Sequence, residues 1–434
     1  MKKAIVLALS ILLAAFTFAG CSGSTQSPQS SGDSTADKNK PVELSFLTWG
    51  NQAHLDLYQK LIDTFTQTHP NIKVKLESVP FPDYQQKVTV LAAGQELPDI
   101  GWVSERMVPQ FMANGILEDV SDLKQDASFK MDDFIPSTLE LFKKDEKLYG
   151  IPFSTPPTVM FYNKDLFDKA GLKSPNDLAK EGKWTWEEFE KSAKAITSGT
   201  GASKIYGANF FRDWKTWIIL SSYSWSNGSG PFSKDMNQFT WNDQYGVETL
   251  SMLQRMMFAD GSHPKAGEQV SFETGKIGMF FDVYSYVSKA RAIKDFKWDI
   301  APMPSGSQGS APMLGQAGYS IFKGTKHLEE TKEFLKFIAS EEGVQATSAY
   351  FVPPRTSVLN SDLFLNQPDN PDPAHIKQAV IEEMPKAHFQ PGHVEWQKID
   401  NTILAGFDQL FGQTAQPADI MKSLEEKINP ILKK

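Results

Sequence analysis

Between Val42 and Val103 the spacing of apolar positions changes period four times. Val42, Leu44 and Phe46 alternate with Glu43 and Ser45, the two-residue period of a half-buried strand, and the run ends at Thr48-Trp49-Gly50-Asn51. Leu57, Tyr58, Leu61, Ile62 and Phe65 then recur at helical spacing. His69-Pro70-Asn71 turns the chain into a second alternating run, Ile72, Val74 and Leu76. A helix is expected from about Tyr84 to Ala93, ended by Gly94, and a third short strand from Pro98 to Val103. Strand, helix, strand, helix, strand is the pattern of a parallel sheet with right-handed crossovers. Ligands of such sheets bind beyond the carboxyl ends of the strands. Here those ends lead into Trp49–Asn51, Pro80–Asp83 and Ser104–Arg106.

The middle of the chain has a different texture. Phe161 to Phe167 leads to a helix stop at Gly171, and Thr185 is placed to cap a helix that opens at Trp186. An aromatic-dense stretch carrying Trp214, Trp217, Tyr223 and Trp225 runs into Asn227-Gly228-Ser229-Gly230. Helical pattern covers 243–259, a strand is expected at Ile277–Phe281 and another at Tyr319–Phe322, and a helix from about Leu328 to Ala339. No internal repeat appears.

The first forty residues have no share in a core. Lys2 and Lys3, the apolar run Ala4–Phe18 and the small residues Ala19-Gly20 make 1–20 a signal peptide. Cys21, the only cysteine, stands where a bacterial lipoprotein carries its lipid, although Phe18 replaces the usual Leu; an ordinary secretory cleavage nearby is the alternative. Residues 21–41 then read as the lipidated cysteine and a Ser/Gly-rich flexible tether, reaching about 25 Å as a coil. Beyond Pro41 the composition is globular, and so long a chain predicts two lobes rather than one core. A net charge of −8 without any basic block argues against a nucleic-acid partner. With one cysteine, stability rests on burial and not on disulfides.

Several blocks in order resemble the extracellular solute-binding proteins of carbohydrate ABC importers. They are His69-Pro70-Asn71-Ile72-Lys73-Val74; Ala93-Gly94 with Pro98-Asp99-Ile100; Met160 to Phe167 with Ala170-Gly171-Leu172; Phe272 to Met279; Ala301 to Pro304; and Glu329 to Gly343. The resemblance implies an α/β, two-lobe periplasmic-binding-protein-like fold, each lobe a mostly parallel sheet flanked by helices, with a hinge of crossing strands. It places the first lobe at 42–152 plus 305–354 and the second at 153–304 plus 355–434. Crossings are expected near Ile151–Pro156, Pro302–Gly306 and Val352–Thr356, where Pro and Gly punctuate the chain. It further implies a monomer, held by its lipid on the outer face of the cell membrane. Such a protein captures a carbohydrate, expected to be an oligosaccharide, and delivers it to the ABC permease without cofactor, metal or chemistry. Where the family commonly carries Gly and then Trp, this chain reads Phe280-Phe281-Asp282-Val283-Tyr284-Ser285-Tyr286, so a Tyr-based aromatic wall is expected.

Sugars present apolar C–H faces rimmed by hydroxyls, and a site for them needs aromatic faces beside carboxylates, amides and Arg. On that ground the candidate contacts are Trp49, Asn51, Asp83, Glu105 and Arg106 at strand ends, Trp214 and Trp217 in the aromatic stretch, and Trp396. Asp282, Tyr284 and Arg355 are candidates from the second lobe and hinge. Core packing competes for Trp214, Trp217 and Trp396, a solvated loop pair for Glu105 and Arg106. Trp184 and Trp186 read as helix-start staples, Tyr162 as scaffold, and Asp99 as a residue that holds its loop. No metalloprotease, nucleophile-elbow, phosphate-loop or dinucleotide motif occurs, and His388 and His393 are split by Pro391-Gly392. Two carboxylates from distant loops still permit a lipid-anchored glycoside-acting enzyme, and a ligand-sensing receptor on the same fold is a third reading.

Overall fold

The computed structural model describes residues 41–211, 214–389 and 391–433. Cys21 and the side chain of Trp214 lie outside what is described. In chain order the strands are β1 Val42–Thr48, β2 Ile72–Ser78, β3 Ile100–Ser104, the small hairpin β4 Lys143–Lys144 and β5 Lys147–Leu148, β6 Ile151–Ser154 and β7 Thr158–Asn163. They continue with β8 Tyr206–Asn209, β9 Ile277–Val283, β10 Trp298–Ala301, β11 Met313–Leu314, β12 Ala317–Ile321 and β13 His388–Phe389. One sheet has the order β2-β1-β3-β12-β6 and a second the order β10-β7-β9-β8, while β11 pairs with β13.

The first sheet follows the period changes of the sequence. β1 and β2 run parallel from Val42↔Ile72 to Thr48↔Ser78, and β3 lies parallel on the other side of β1. The helix Gln52–Thr68 buries Tyr58, Leu61, Ile62 and Phe65, the stripe its spacing predicts. The helix Phe81–Gly94 starts three residues before Tyr84 and runs through Gly94, and it is Gln95 that takes the left-handed capping conformation (φ 58°). Asp99 ties the sheet together: it accepts from Ser45 N and Oγ, both 2.8 Å, and from Thr325 Oγ1 at 2.6 Å. Phe46, Trp102, Phe153, Tyr319 and Phe334 fill the core beneath.

The second sheet is less parallel than the resemblance implies. β7 is antiparallel to both β10 and β9, and only β8 and β9 run parallel. The cause is topological. β7 arrives straight from β6 through Thr155-Pro156-Pro157, with no crossover helix to turn it round, so it runs against the strands that end at the junction. β12 enters the first sheet the same way after 302–316 and is likewise antiparallel to β3 and β6. β7 is buried along its whole length. Val159 and Phe161 face one core and Met160 and Tyr162 another, so both faces of this sheet are covered.

The chain thus passes between the sheets at 155–157 and 302–316, and returns from the first core to the second sheet's side at 351–359. Arg355, at this last passage, is a structural residue and not the ligand contact the sequence proposed. Its side chain is fully buried. The guanidinium donates to Ala339 O (2.9 Å), Lys130 O (3.0 Å) and Phe129 O (2.9 Å), pairs with Asp133 at 3.4 Å, and lies 4.0 Å from the ring centre of Phe134. A planar fork of donors is suited to several carbonyls fixed at once. Among the described residues no helix is long and apolar enough to cross a membrane.

Candidate functional site

Where β3 ends, Glu105 clasps the backbone of Gln316: Glu105 N donates to Gln316 O, and Gln316 N donates to the Glu105 carboxylate Oε2, each at 3.1 Å. Gln316 belongs to the 302–316 crossing, so this clasp fixes the turn after β3 to the hinge. Burial pushes the Glu105 carboxyl up from its ordinary range, against the opposing pull of Arg106. The Gln316 side chain donates to Thr138 O, and its Oε1 is buried without a hydrogen-bond partner.

Arg106, the next residue, reaches the other side of the junction. Its Nη1 lies 4.0 Å from Asp400 Oδ2, and Asp400 Oδ1 accepts from Trp217 Nε1 at 2.6 Å. Asp400 sits on the helix Trp396–Phe411, one turn after Trp396, so the two share a helix face. Trp396 stacks against Trp217 with ring centres 6.2 Å apart, and its own Nε1 is buried without a partner. Immediately before this helix the chain presses on the first lobe: a Cβ at Gly392 would meet Pro109 Cγ at 2.5 Å and Glu105 O at 3.7 Å. Only glycine permits so close an approach.

Phe210 and Phe211, just after β8, are anchored by His263. Its Nε2 accepts from Phe210 N and Phe211 N, both 3.2 Å, which leaves Nδ1 to donate to Pro264 O at 2.7 Å. Burial lowers its pKa to about 4, so the imidazole is neutral and keeps the lone pair these amides need.

Of the residues proposed from sequence, Glu105, Arg106, Trp217 and Trp396 therefore meet at one junction, with Trp217 and Trp396 also packed in the second core. Trp49 is half-buried at the end of β1, edge-on to Tyr84 (5.0 Å) and Trp102 (5.1 Å). Asn51 is used as a helix cap, its Oδ1 accepting from His54 N at 3.1 Å while His54 Nδ1 accepts from Asn51 N. Asp83 is exposed in the first turn of its helix. Asp282 is buried in β9, where Oδ1 accepts from Val283 N. Tyr284 does not form an open aromatic wall: a 3-10 turn tucks it into the core against Phe364, and burial pushes its hydroxyl pKa up. Trp184 and Trp186 are staples, donating to Pro302 O (3.1 Å) and Ser226 Oγ (2.9 Å).

Asp400 and Gln316 were missed. Asp400 stands at i+4 from Trp396 on a helix whose other inward positions are apolar, and a charge on such a face is the available signal. Gln316 lies in Leu314-Gly315-Gln316-Ala317, where a polar residue interrupts a run of small and apolar ones.

Known proteins place this architecture. A family model described as bacterial extracellular solute-binding protein matches residues 51–345. The arabinooligosaccharide-binding protein of Bacillus subtilis is 29% identical over 360 residues, covering 79% of this chain and 78% of that protein. The diacetylchitobiose-binding protein of Streptomyces coelicolor is 27% identical, covering 99% and 98%. Among solved structures, the ABC substrate-binding protein Lmo0181 of Listeria monocytogenes, in complex with cycloalternan, shares the fold with a TM-score of 0.80 at 22% identity, covering 91% of this chain and all of that one. Maltose-bound MalE3 of T. maritima shares it at 0.77 and 19% identity, over 90% of this chain and all of that one. The family and these relatives are binding proteins, and the matched span is most of the globular part. This chain belongs to the bacterial extracellular solute-binding protein family.

Proposed function

We propose that the chain captures a carbohydrate, an oligosaccharide, at the junction of its two sheets and hands it to the permease of an ABC importer without altering it. The observation that carries this reading is the chemistry of the junction. Arg106 faces Asp400, Asp400 holds Trp217 in its stack with Trp396, and Glu105 is bound to Gln316 of the hinge, while Trp396 Nε1 and Gln316 Oε1 are a buried donor and acceptor without partners. Rings, charges and unpaired polar atoms from both sides of a hinge suit a polyhydroxylated ligand with apolar faces. Relatives named for binding arabino-oligosaccharides and diacetylchitobiose support the ligand class.

A ligand touching both sides favours the closed arrangement by its extra affinity for it, which gives the permease a signal of occupancy without chemistry. The protein acts as a monomer, held on the outer face of the cell membrane by lipid at Cys21. Membrane retention of a correctly cleaved Cys21→Ser protein would refute the anchor.

The test of the ligand is a calorimetric titration of the purified globular part with arabino-, chito- and malto-oligosaccharides, with chromatography of the sugars afterwards. Tight binding with unaltered sugars is expected. Turnover would replace binding protein by enzyme, and the absence of binding to any of them would overturn the carbohydrate class.

A further inference from the structure

Next to the junction the second lobe holds a cavity of about 690 Å³, within the range of small-molecule sites (about 300–1,000 Å³). The loop from Trp225 to Thr240 forms one wall, and β13 with Pro391 the other. Trp225 and His388 line it together, with ring centres 4.8 Å apart and planes within 5° of parallel. Trp225 differs from the other tryptophans of this core. Trp184, Trp217 and Trp241 are fully buried with bonded indole N–H groups, whereas Trp225 is half-buried and His388 exposed. Solvent reaches this pair of flat rings, and the outer face of such a ring is a surface on which a sugar ring packs.

The cavity adjoins the junction. Phe232, which lines it, has its ring centre 5.9 Å from that of Trp396, and Pro391 directly precedes the Gly392 that presses on Pro109. Its wall is also tied to the hinge. Gln308 N donates to Ser226 O at 2.7 Å and Ser307 N to Asn227 Oδ1 at 3.0 Å, so the 302–316 crossing holds the loop's base. β13 pairs in parallel with β11 on the same crossing, Met313↔His388 and Leu314↔Phe389. Polar groups rim the apolar walls, with Ser229, Lys234 and Thr240 among them. Partial desolvation against Trp225 lowers the His388 pKa although its outer side stays exposed, and the neutral form of the ring can both donate to and accept from hydroxyls.

We infer that this cavity is an outer subsite that holds the further units of an oligosaccharide whose first units occupy the junction, with Trp225 and His388 as its platform. The inference rests on the carbohydrate reading above. It assigns to the 225–240 loop and β13 the selection for chain length.

The experiment is calorimetry of the wild type, Trp225→Ala and His388→Ala with arabino-, chito- and malto-oligosaccharides of two to five units. For the series that binds, wild-type affinity is expected to rise by about tenfold with length, one ring-stacking contact's worth. Trp225→Ala is expected to abolish that rise while leaving the affinity for the shortest binding sugar within about twofold. His388→Ala, at an exposed position, is expected to reduce the rise in the same sense with an unchanged melting curve. An equal rise in wild type and both variants, or an equal loss at every length, would overturn the subsite while leaving junction binding intact. Failure of every sugar to bind the wild type would instead remove the carbohydrate reading, and the subsite with it.

Discussion

Replacing Arg355 with methionine keeps most of the side chain's apolar length and removes its guanidinium. Three backbone carbonyls, Ala339 O, Lys130 O and Phe129 O, lose their donor, and Asp133 loses its partner. A buried acceptor left unpaired costs about 1–3 kcal/mol. Breaking one side of a buried pair costs about 3–5 kcal/mol. Asp133 retains the bonds from Ser357 N (2.9 Å) and Oγ (2.7 Å), so the acid itself is not stranded. The carbonyls set the scale, and Arg355→Met is expected to lose about 3–5 kcal/mol. At roughly 2–4 °C per kcal/mol for a unit of 150–250 residues, the melting temperature falls by about 6–20 °C. Arg355→Lys is expected to lose nearly as much, since one ammonium cannot serve three carbonyls in the plane of a fork. Tryptophan fluorescence during thermal and urea unfolding reads the effect, and titration with sugar well below the transition reads affinity, which is expected to stay within about threefold. A melting shift under about 2 °C together with a large loss of affinity would refute the reasoning and return Arg355 to the ligand.

Three further outcomes follow from the same contacts. Burial holds His263 at about 4, below its ordinary 6.5, so the unfolded chain takes up a proton that the folded chain refuses. Stability is therefore full above about pH 6.5 and falls by up to roughly 3 kcal/mol toward pH 4; urea midpoints at the two ends, compared with a His263→Gln variant of flatter profile, measure it, and parallel profiles would contradict it. Trp49→Ala is expected to weaken sugar binding by about 1–3 kcal/mol and, because its ring also meets Tyr84 and Trp102, to cost a similar amount of stability; a melting change with unchanged affinity would make Trp49 purely structural. Asp400→Asn keeps an oxygen for Trp217 Nε1 but removes the charge facing Arg106, so affinity is expected to fall about two- to sixfold and to lose its dependence on salt, and an identical salt dependence in calorimetry would refute the cross-junction pair.

The first sheet was legible because each strand has one face toward a core and so alternates, and because each connecting helix carries a buried stripe. The direction of β7 was not, since an alternating run reads the same in either direction and only the three-residue passage from β6 decides it. Aromatic density drew attention to Trp217 and Trp396, which the structure stacks together, but the partner that joins them to Arg106 is Asp400, a charge on an inward helix face that no sequence pattern singled out. Asn51 shows the converse: an amide just past a strand end serves equally as ligand contact or helix cap, and in the structure its side chain caps the helix together with His54. Arg355 follows two prolines at a passage between lobes, which reads as exposed. Its burial depends on carbonyls more than 200 residues earlier in the chain, a relation that no local pattern carries.

The central claim is that ligand is held by both lobes at the hinge junction. Hydrogen exchange of the protein alone and saturated with its tightest sugar tests it most directly, peptide by peptide. The account predicts slower exchange on both sides at once, at 104–110 after β3 and at 210–220 and 392–400 opposite, with the 302–316 crossing protected between them. Protection confined to one lobe, or located away from this junction, would contradict it.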